Sequence, residues 1–186
     1  CIHMSTRVVI GPIRFSYANV YEPKKAEGSE EAKYSTSILI EKKQKEIEQE
    51  IRKAIEKEKQ ENLAKFGGVI PKNLWIPLRD GDVDRPENED YAGHYFLNAS
   101  SKTAPEIVDK KRQPILDKTA FYSGCYGYVS LTFYAFNKNG NKGIACGLNN
   151  IMKTKDGEPL GGRSRAEDDF AHIVLEEDEE NIDDLL

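Results

Sequence analysis

The chain has 186 residues, with 27 Lys and Arg against 32 Asp and Glu and a net charge of −5; this is enough for one domain of ordinary size around a single core. No apolar run approaches the roughly 18 residues needed to span a bilayer, so a helical membrane protein is excluded and the chain reads as soluble and intracellular, with no secretory leader. The charge is unevenly placed: Glu167 to Leu186 holds ten acidic side chains and no Lys or Arg, leaving residues 1–166 with 27 basic against 22 acidic groups, a net +5. A basic body with an acidic end suits a protein whose body grips a polyanion and whose tail competes for that grip or serves as a handle for partners.

Cys-Ile-His ahead of Met4 reads as an exogenous leader, residues 1–3, and the domain proper as residues 4–166. Short β segments come first. Arg7 to Ile10 and Ile13 to Tyr17 are predicted as separate strands divided by Gly11-Pro12, and Tyr34 to Ile40 as a third, with Glu22 to Lys33 as a mobile hairpin loop between the last two. From Glu41 to about Phe66 the period changes: Ile47, Ile51, Ala54 and Ile55 fall at helical spacing among Glu and Lys until Gly67-Gly68 ends the run. The alternating charges there read as a solvated helix face laced with i,i+4 pairs.

Val69 to Asn98, with three prolines and an acidic stretch, is predicted as long irregular loops. Within it Asp80, Asp82 and Asp84 have the spacing of a calcium loop, but the sixth position is Arg85 instead of Gly and the twelfth is Tyr91 instead of Glu, so this is no EF-hand. The three carboxylates could still hold a catalytic metal for phosphodiester cleavage, unless the flanking Arg79 and Arg85 neutralise them.

The strongest strand runs from Gly124 to Asn137. Its alternation puts Cys125, Gly127, Val129, Leu131, Phe133 and Ala135 on one face and Tyr126, Tyr128, Ser130, Thr132, Tyr134 and Phe136 on the other. The first is a core face; the second mixes hydroxyls with aromatics, as on a wet surface that offers flat rings. A turn at Asn137 to Gly143 returns the chain as an antiparallel partner, Ile144 to Ile151, and Asp156-Gly157 and Gly161-Gly162 punctuate the exit. Cys125 and Cys146 read as buried free thiols, and His94 and His172 have no zinc-ligand neighbours.

No phosphate-binding Gly-rich loop, nucleophile elbow or histidine–nucleophile motif is present, and nothing calls for a cofactor or a metal. Three features combine instead: the aromatic strand face, the cations at Lys102, Lys110, Lys111, Arg112 and Lys118, and the acidic tail. Single-stranded nucleic acid needs this pairing of cations for phosphates with rings on which any base can stack, and a β surface suits splayed bases. Two other classes stay open: a metal-dependent nuclease using Asp80, Asp82 and Asp84, and an adaptor whose acidic tail is its whole function.

The segments Trp75 to Asp82, Gly93 to Lys102, Pro105 to Asp109, Tyr122 to Tyr126 and Gly143 to Asn150 together resemble a phage-encoded single-stranded DNA-binding family, over about Thr6 to Phe170. The resemblance implies a non-catalytic oligonucleotide/oligosaccharide-binding (OB) fold: a five-stranded barrel, mainly β with one long helix, elaborated loops and a disordered acidic tail, residues 167–186. It implies replication or recombination work in the cytoplasm of an infected bacterium, single-stranded DNA as partner, and replication or recombination proteins engaged through the tail. Nothing in these patterns sets the oligomeric state, and a homodimer is compatible with them. On matching positions the resemblance implies stacking by Tyr122, Tyr126, Tyr128 and Tyr134 and phosphate contacts by Arg79, Lys102, Lys110, Lys111, Arg112 and Lys118, with Trp75 and Tyr95 next in line. More distantly the chain is similar to T7-type phage single-strand binders, whose acidic tails end in an aromatic residue. Here the tail ends in Leu185-Leu186 and its nearest aromatic is Phe170, so these three are the candidate docking residues.

Overall fold

The computed structural model describes residues 5–25, 28–160, 170 and 173. Strand β1, Thr6–Lys25, is a single long strand where two were expected. The Gly11-Pro12 dipeptide, joined by a cis peptide bond, is absorbed as an irregularity in the ladder between Ile10 and Ile13, and a second irregularity falls between Ser16 and Asn19. Its first half pairs with β6 (Tyr126–Lys138) and its second half with β2 (Ala32–Glu41), so one bent strand serves two sides of a barrel. The ladder continues to Lys25↔Ala32, so the expected 22–33 loop is strand at both its ends.

After β2 comes helix α1, Lys45–Glu61, followed by a 3-10 turn at Leu63–Phe66 that Gly67 closes with a left-handed φ of 90°. Gln44 fixes the helix start, accepting from the Glu41 amide (3.0 Å) and donating to the Pro12 carbonyl (2.8 Å). Ile51, Ala54 and Ile55 are buried in the barrel core, while Arg52 pairs with Glu48 at 2.8 Å and Lys59 with Glu56 at 3.5 Å on the outer face, as the charge pattern predicts. Glu58 is buried too, and accepts a 2.6 Å hydrogen bond from the Thr6 hydroxyl that ties the helix to the start of β1.

The region expected to be irregular up to Asn98 is more ordered than that. It contains β3 (Arg79–Asp80), the single-turn helix α2 (Gly81–Asp84), a 3-10 turn at Glu89–Tyr91 and a full strand β4, His94–Ser101. β4 pairs with β2 along its whole length and meets β7 (Asn141–Lys155) in parallel at Ser100↔Gly147. That contact closes the cycle β1-β2-β4-β7-β6, a five-stranded OB barrel. A short strand β5, Glu106–Val108, extends the sheet beyond β7. β6 and β7 are joined at Asn139-Gly140, whose φ values of 54° and 84° are those of the two-residue hairpin turn that such a dipeptide favours.

The core is the inner parity of these strands, with Phe15, Ile38, Ile40, Leu97, Leu131, Phe133 and Ile144 all completely buried. Cys125 and Cys146 lie within it as buried free thiols, and desolvation raises both pKa values. A smaller cluster of Leu39, Tyr91, Phe96 and Leu160 covers part of the outer side of β2 and β4. Tyr91 donates from its hydroxyl to Ser37 at 2.9 Å, pinning the 79–93 excursion to the barrel wall.

Candidate nucleic-acid interface

Strand β6 alternates as its sequence predicts. Gly127, Val129, Leu131, Phe133 and Ala135 are buried, while Tyr128 and Tyr134 are 39% and 40% exposed. Same-face neighbours on a strand stand about 7 Å apart, so Tyr126 and Tyr128 form a close pair and Tyr134 follows about 20 Å farther on. The hydroxyls between them are organised: Asn149 of β7 donates to Thr132 at 2.8 Å and Ser130 at 3.4 Å. β1 extends this surface with Arg7 opposite Thr132 and Val9 opposite Ser130. β7 presents Gly143, Ala145 and Gly147 beside Phe136, Tyr134 and Thr132, so small residues leave the rings uncovered.

Each tyrosine is seated differently. The Tyr128 ring lies against Gly11, where any Cβ would overlap it. Tyr126 sits between two cations, with the Arg14 guanidinium 5.1 Å and the Lys155 ammonium 5.5 Å from its ring centroid. Arg14 is fixed in turn by donating to the carbonyls of Gly124 (2.9 Å) and Glu158 (2.7 Å). Tyr122 does not join the row. Its hydroxyl hydrogen-bonds with Asp156 (3.0 Å), the Gly157 carbonyl (2.9 Å) and the Gly157 amide (3.1 Å), and its ring packs on the core, which makes it a strut for the chain leaving β7.

The expected phosphate ligands divide in the same way. Lys110, Lys111 and Arg112 are exposed in a tight turn after β5, where Asp109 accepts from the amides of Lys111 (2.8 Å) and Gln113 (3.0 Å). The register Val108↔Met152 and Met152↔Tyr128 aligns that turn with the Tyr126–Tyr128 end of the row, two strands away. Lys118 is exposed, with its ammonium 5.9 Å from the Tyr21 ring. Lys102 is held in a 2.9 Å ion pair by Glu31 at the β1–β2 hairpin, and that hydrogen bond lowers the Glu31 pKa. Arg79 lies on the other side of the barrel, paired with Asp84 at 3.3 Å and stacked over Phe96 at 5.7 Å. Of the runners-up, Tyr95 is partly buried under Lys42 and Arg52, whereas Trp75 is 44% exposed. Phe170 is exposed; Leu185 and Leu186, like residues 1–4, Gly161-Gly162, His172 and the tail residues other than Phe170 and Ile173, lie outside the described residues.

The Asp80, Asp82 and Asp84 carboxylates have local partners: the flanking Arg79 pairs with Asp84, as the sequence suggests, and Lys42 of the β2–α1 connection pairs with the other two. Its ammonium lies 2.7 Å from Asp80 and 2.7 Å from Asp82. Asp80 also accepts from the Asp82 amide (2.9 Å) and Asp82 from the Gly93 amide (3.0 Å). Among the described residues no group of three His, Cys, Asp or Glu could hold a metal ion. The hydrogen bonds from Lys42 lower both aspartate pKa values and raise that of Lys42. A depressed carboxylate pKa contributes stability above the unfolded value near 3.9 and loses it as pH falls through the folded one. Lys42→Met should therefore melt slightly below the unsubstituted protein at pH 7, with the gap closing as pH drops below about 4. A gap that persists undiminished at the acid end would show that Lys42 acts through packing.

Two features escaped the sequence reading. One is a groove of about 250 Å³ across β1, β2 and β4, lined by Tyr17, Asn19, Ser35, Arg85 and Asn98 among others. Tyr17 is 49% exposed and adopts a φ of 46°, rare for a bulky side chain. The other is a depression at Trp75 and Phe136, beside the β6–β7 hairpin.

The family model described as "Enterobacter phage Enc34, ssDNA-binding protein" matches residues 6–185. The chain belongs to that family. Putative protein p50 of Acyrthosiphon pisum secondary endosymbiont phage 1 is 29% identical over 182 residues, which is 94% of this chain and 97% of that protein. Among solved structures, the single-stranded DNA-binding protein from bacteriophage Enc34 in complex with ssDNA superposes with a TM-score of 0.75 at 26% identity, covering 83% of this chain and 89% of that one. Gp2.5, a single-stranded DNA binding protein encoded by bacteriophage T7, shares the fold with a TM-score of 0.62 at 16% identity, covering 93% and 97%.

Proposed function

We propose that this protein coats single-stranded DNA without catalysis and with little sequence preference, acting in phage DNA replication or recombination in the host cytoplasm. The observation that carries the reading is the outward row on β6, where exposed Tyr128 and Tyr134 bracket ordered hydroxyls on the wall of a closed barrel. Rings of this kind stack bases of any identity. Tyr126 completes the row, and the cations beside it, Arg14 and Lys155, with Arg7 and the Lys110–Arg112 turn, lie where phosphates of such a strand would pass. In this reading Lys118 adds a more distant cation, while Tyr122, Arg79 and Lys102 support the fold around the site and do not touch DNA.

The test is a titration of labelled single-stranded and duplex oligonucleotides at two salt concentrations. Log affinity for the single strand should fall with log salt by roughly 0.7 per phosphate contacted, because each contact releases condensed counterions. Binding that ignores salt, or that requires one sequence, would sink the proposal; no binding at all would favour the adaptor reading.

The acidic tail is assigned two roles, competition for the basic surface and recruitment of replication or recombination proteins through Phe170, Leu185 and Leu186. A −10 segment tethered to a +5 body has a high effective concentration near any cationic groove. Truncation after Ala166 should raise single-strand affinity at low salt, with the gain shrinking as salt screens the attraction. Equal affinity of the two forms at low salt would leave recruitment as the tail's only role.

A further inference from the structure

Phe136 is the next outward residue of β6 after Tyr134, and it does not stand alone. Trp75 lies beside it with ring centroids 6.4 Å apart and planes tilted by 56°. The Trp75 backbone is stitched to β7: its amide donates to the Lys142 carbonyl (3.0 Å) and its carbonyl accepts from the Ile144 amide (2.9 Å). Gly143 sits against the Phe136 ring and the base of Trp75, and a Cβ there would come within 2.7 Å of the Trp75 Cβ and 2.8 Å of both the Phe136 ring and the Trp75 carbonyl oxygen. Contacts that tight are not sustained, so the absence of a side chain at Gly143 is what lets the two aromatics converge.

The result is an open depression of about 510 Å³ lined by Pro71, Asn73, Trp75, Phe136, Gly140, Asn141 and Lys142. Among the described residues Lys142 is its one charged wall, with its ammonium donating to the Phe66 carbonyl at 3.1 Å. Asn73 and Asn141 add amides that present either a donor or an acceptor, as a base edge of any identity requires. A large flat ring at 44% exposure, held on a rigid backbone beside a cation and neutral amides, is built to receive an uncharged aromatic group attached to an anion.

We infer that the Trp75–Phe136 depression is a nucleobase pocket, taking one unstacked base of a single strand at the end of the β6 row. The inference rests on the single-stranded DNA reading, and it extends the path of the strand past Tyr134 onto the β6–β7 hairpin. The chain has one tryptophan, so intrinsic tryptophan emission reports on this pocket alone.

The experiment titrates an unlabelled deoxythymidine oligonucleotide into the full-length protein while following tryptophan emission, with the anisotropy of the same oligonucleotide carrying a fluorescein label measured in parallel. Emission should be quenched with the midpoint that anisotropy gives, and bound oligonucleotide should shield Trp75 from acrylamide. Trp75→Ala should weaken binding between about fivefold and about 150-fold, the loss of one stack, and Trp75→Phe should recover most of it. Gly143→Ala should weaken binding by displacing the rings while the core stays folded. Anisotropy that reports binding while emission, shielding and the Trp75→Ala affinity all stay unchanged would overturn the pocket and leave single-strand binding intact. An oligonucleotide that fails to bind at all would overturn both.

Discussion

Replacing Tyr128 and Tyr134 together by alanine is expected to weaken single-strand binding by at least roughly 30-fold, with the melting temperature close to that of the unsubstituted protein. A base stacked on an aromatic ring is worth about 1–3 kcal/mol, so two lost stacks remove about 2–6 kcal/mol of binding free energy. Both rings are outside the core cluster and more than a third exposed, so truncation leaves no cavity in the barrel. Tyr128 covers the Gly11 backbone, and losing that cover should cost about 1 kcal/mol of stability at most. Phenylalanine at both positions keeps the stacking faces and should restore most of the affinity, which separates ring from hydroxyl. If the double alanine variant binds as tightly as the unsubstituted protein, the strand runs elsewhere. The groove at Tyr17 is then the first place to look, and Tyr17→Ala would carry the loss instead.

Which parts of this site could be read in the sequence depended on how many neighbours decide a residue's surroundings. The β6 row is legible because an antiparallel strand with one buried face carries its orientation in period-2 alternation, and the barrel keeps that alternation from Tyr126 to Phe136. Helix α1 is legible for the same reason at a period of 3.6. Strand β4 is not. Leu97 and Ala99 are buried in the barrel, but Phe96 on the opposite parity is buried in the cluster outside it while Asn98 two residues on is exposed, so the alternation is interrupted by an apolar residue on the outward face. Tyr17 shares parity with Phe15 and reads as a core residue, until the irregularity between Ser16 and Asn19 turns it outward. Tyr122, Arg79 and Lys102 have the right chemistry for a DNA contact, but their partners Gly157, Phe96 and Glu31 are brought together only by the fold. The pairing of Lys42 with the acidic cluster, 38 and 40 positions away along the chain, is of the same kind.

The opposite parity of β6 makes the complementary case. Phe133 is adjacent to Tyr134 in sequence but completely buried, and its backbone pairs with Thr6 of β1 on one side and Cys146 of β7 on the other. Phe133→Ala removes a ring from the middle of the closed barrel, where strands hydrogen-bonded on both sides cannot collapse into the void. Such truncations cost about 3–5 kcal/mol, a large share of the 5–15 kcal/mol by which domains are usually stable. For a chain of this size that is a fall in melting temperature of roughly 6–20 °C. The variant that remains folded at low temperature should bind single-stranded DNA with near-normal affinity, because its outward row is untouched. Thermal unfolding followed by circular dichroism, with affinity measured well below the transition, distinguishes the two faces residue by residue. A Phe133→Ala protein that melts normally but loses DNA binding would mean that the row of rings faces the core and that the surface assigned here to DNA is the wrong one.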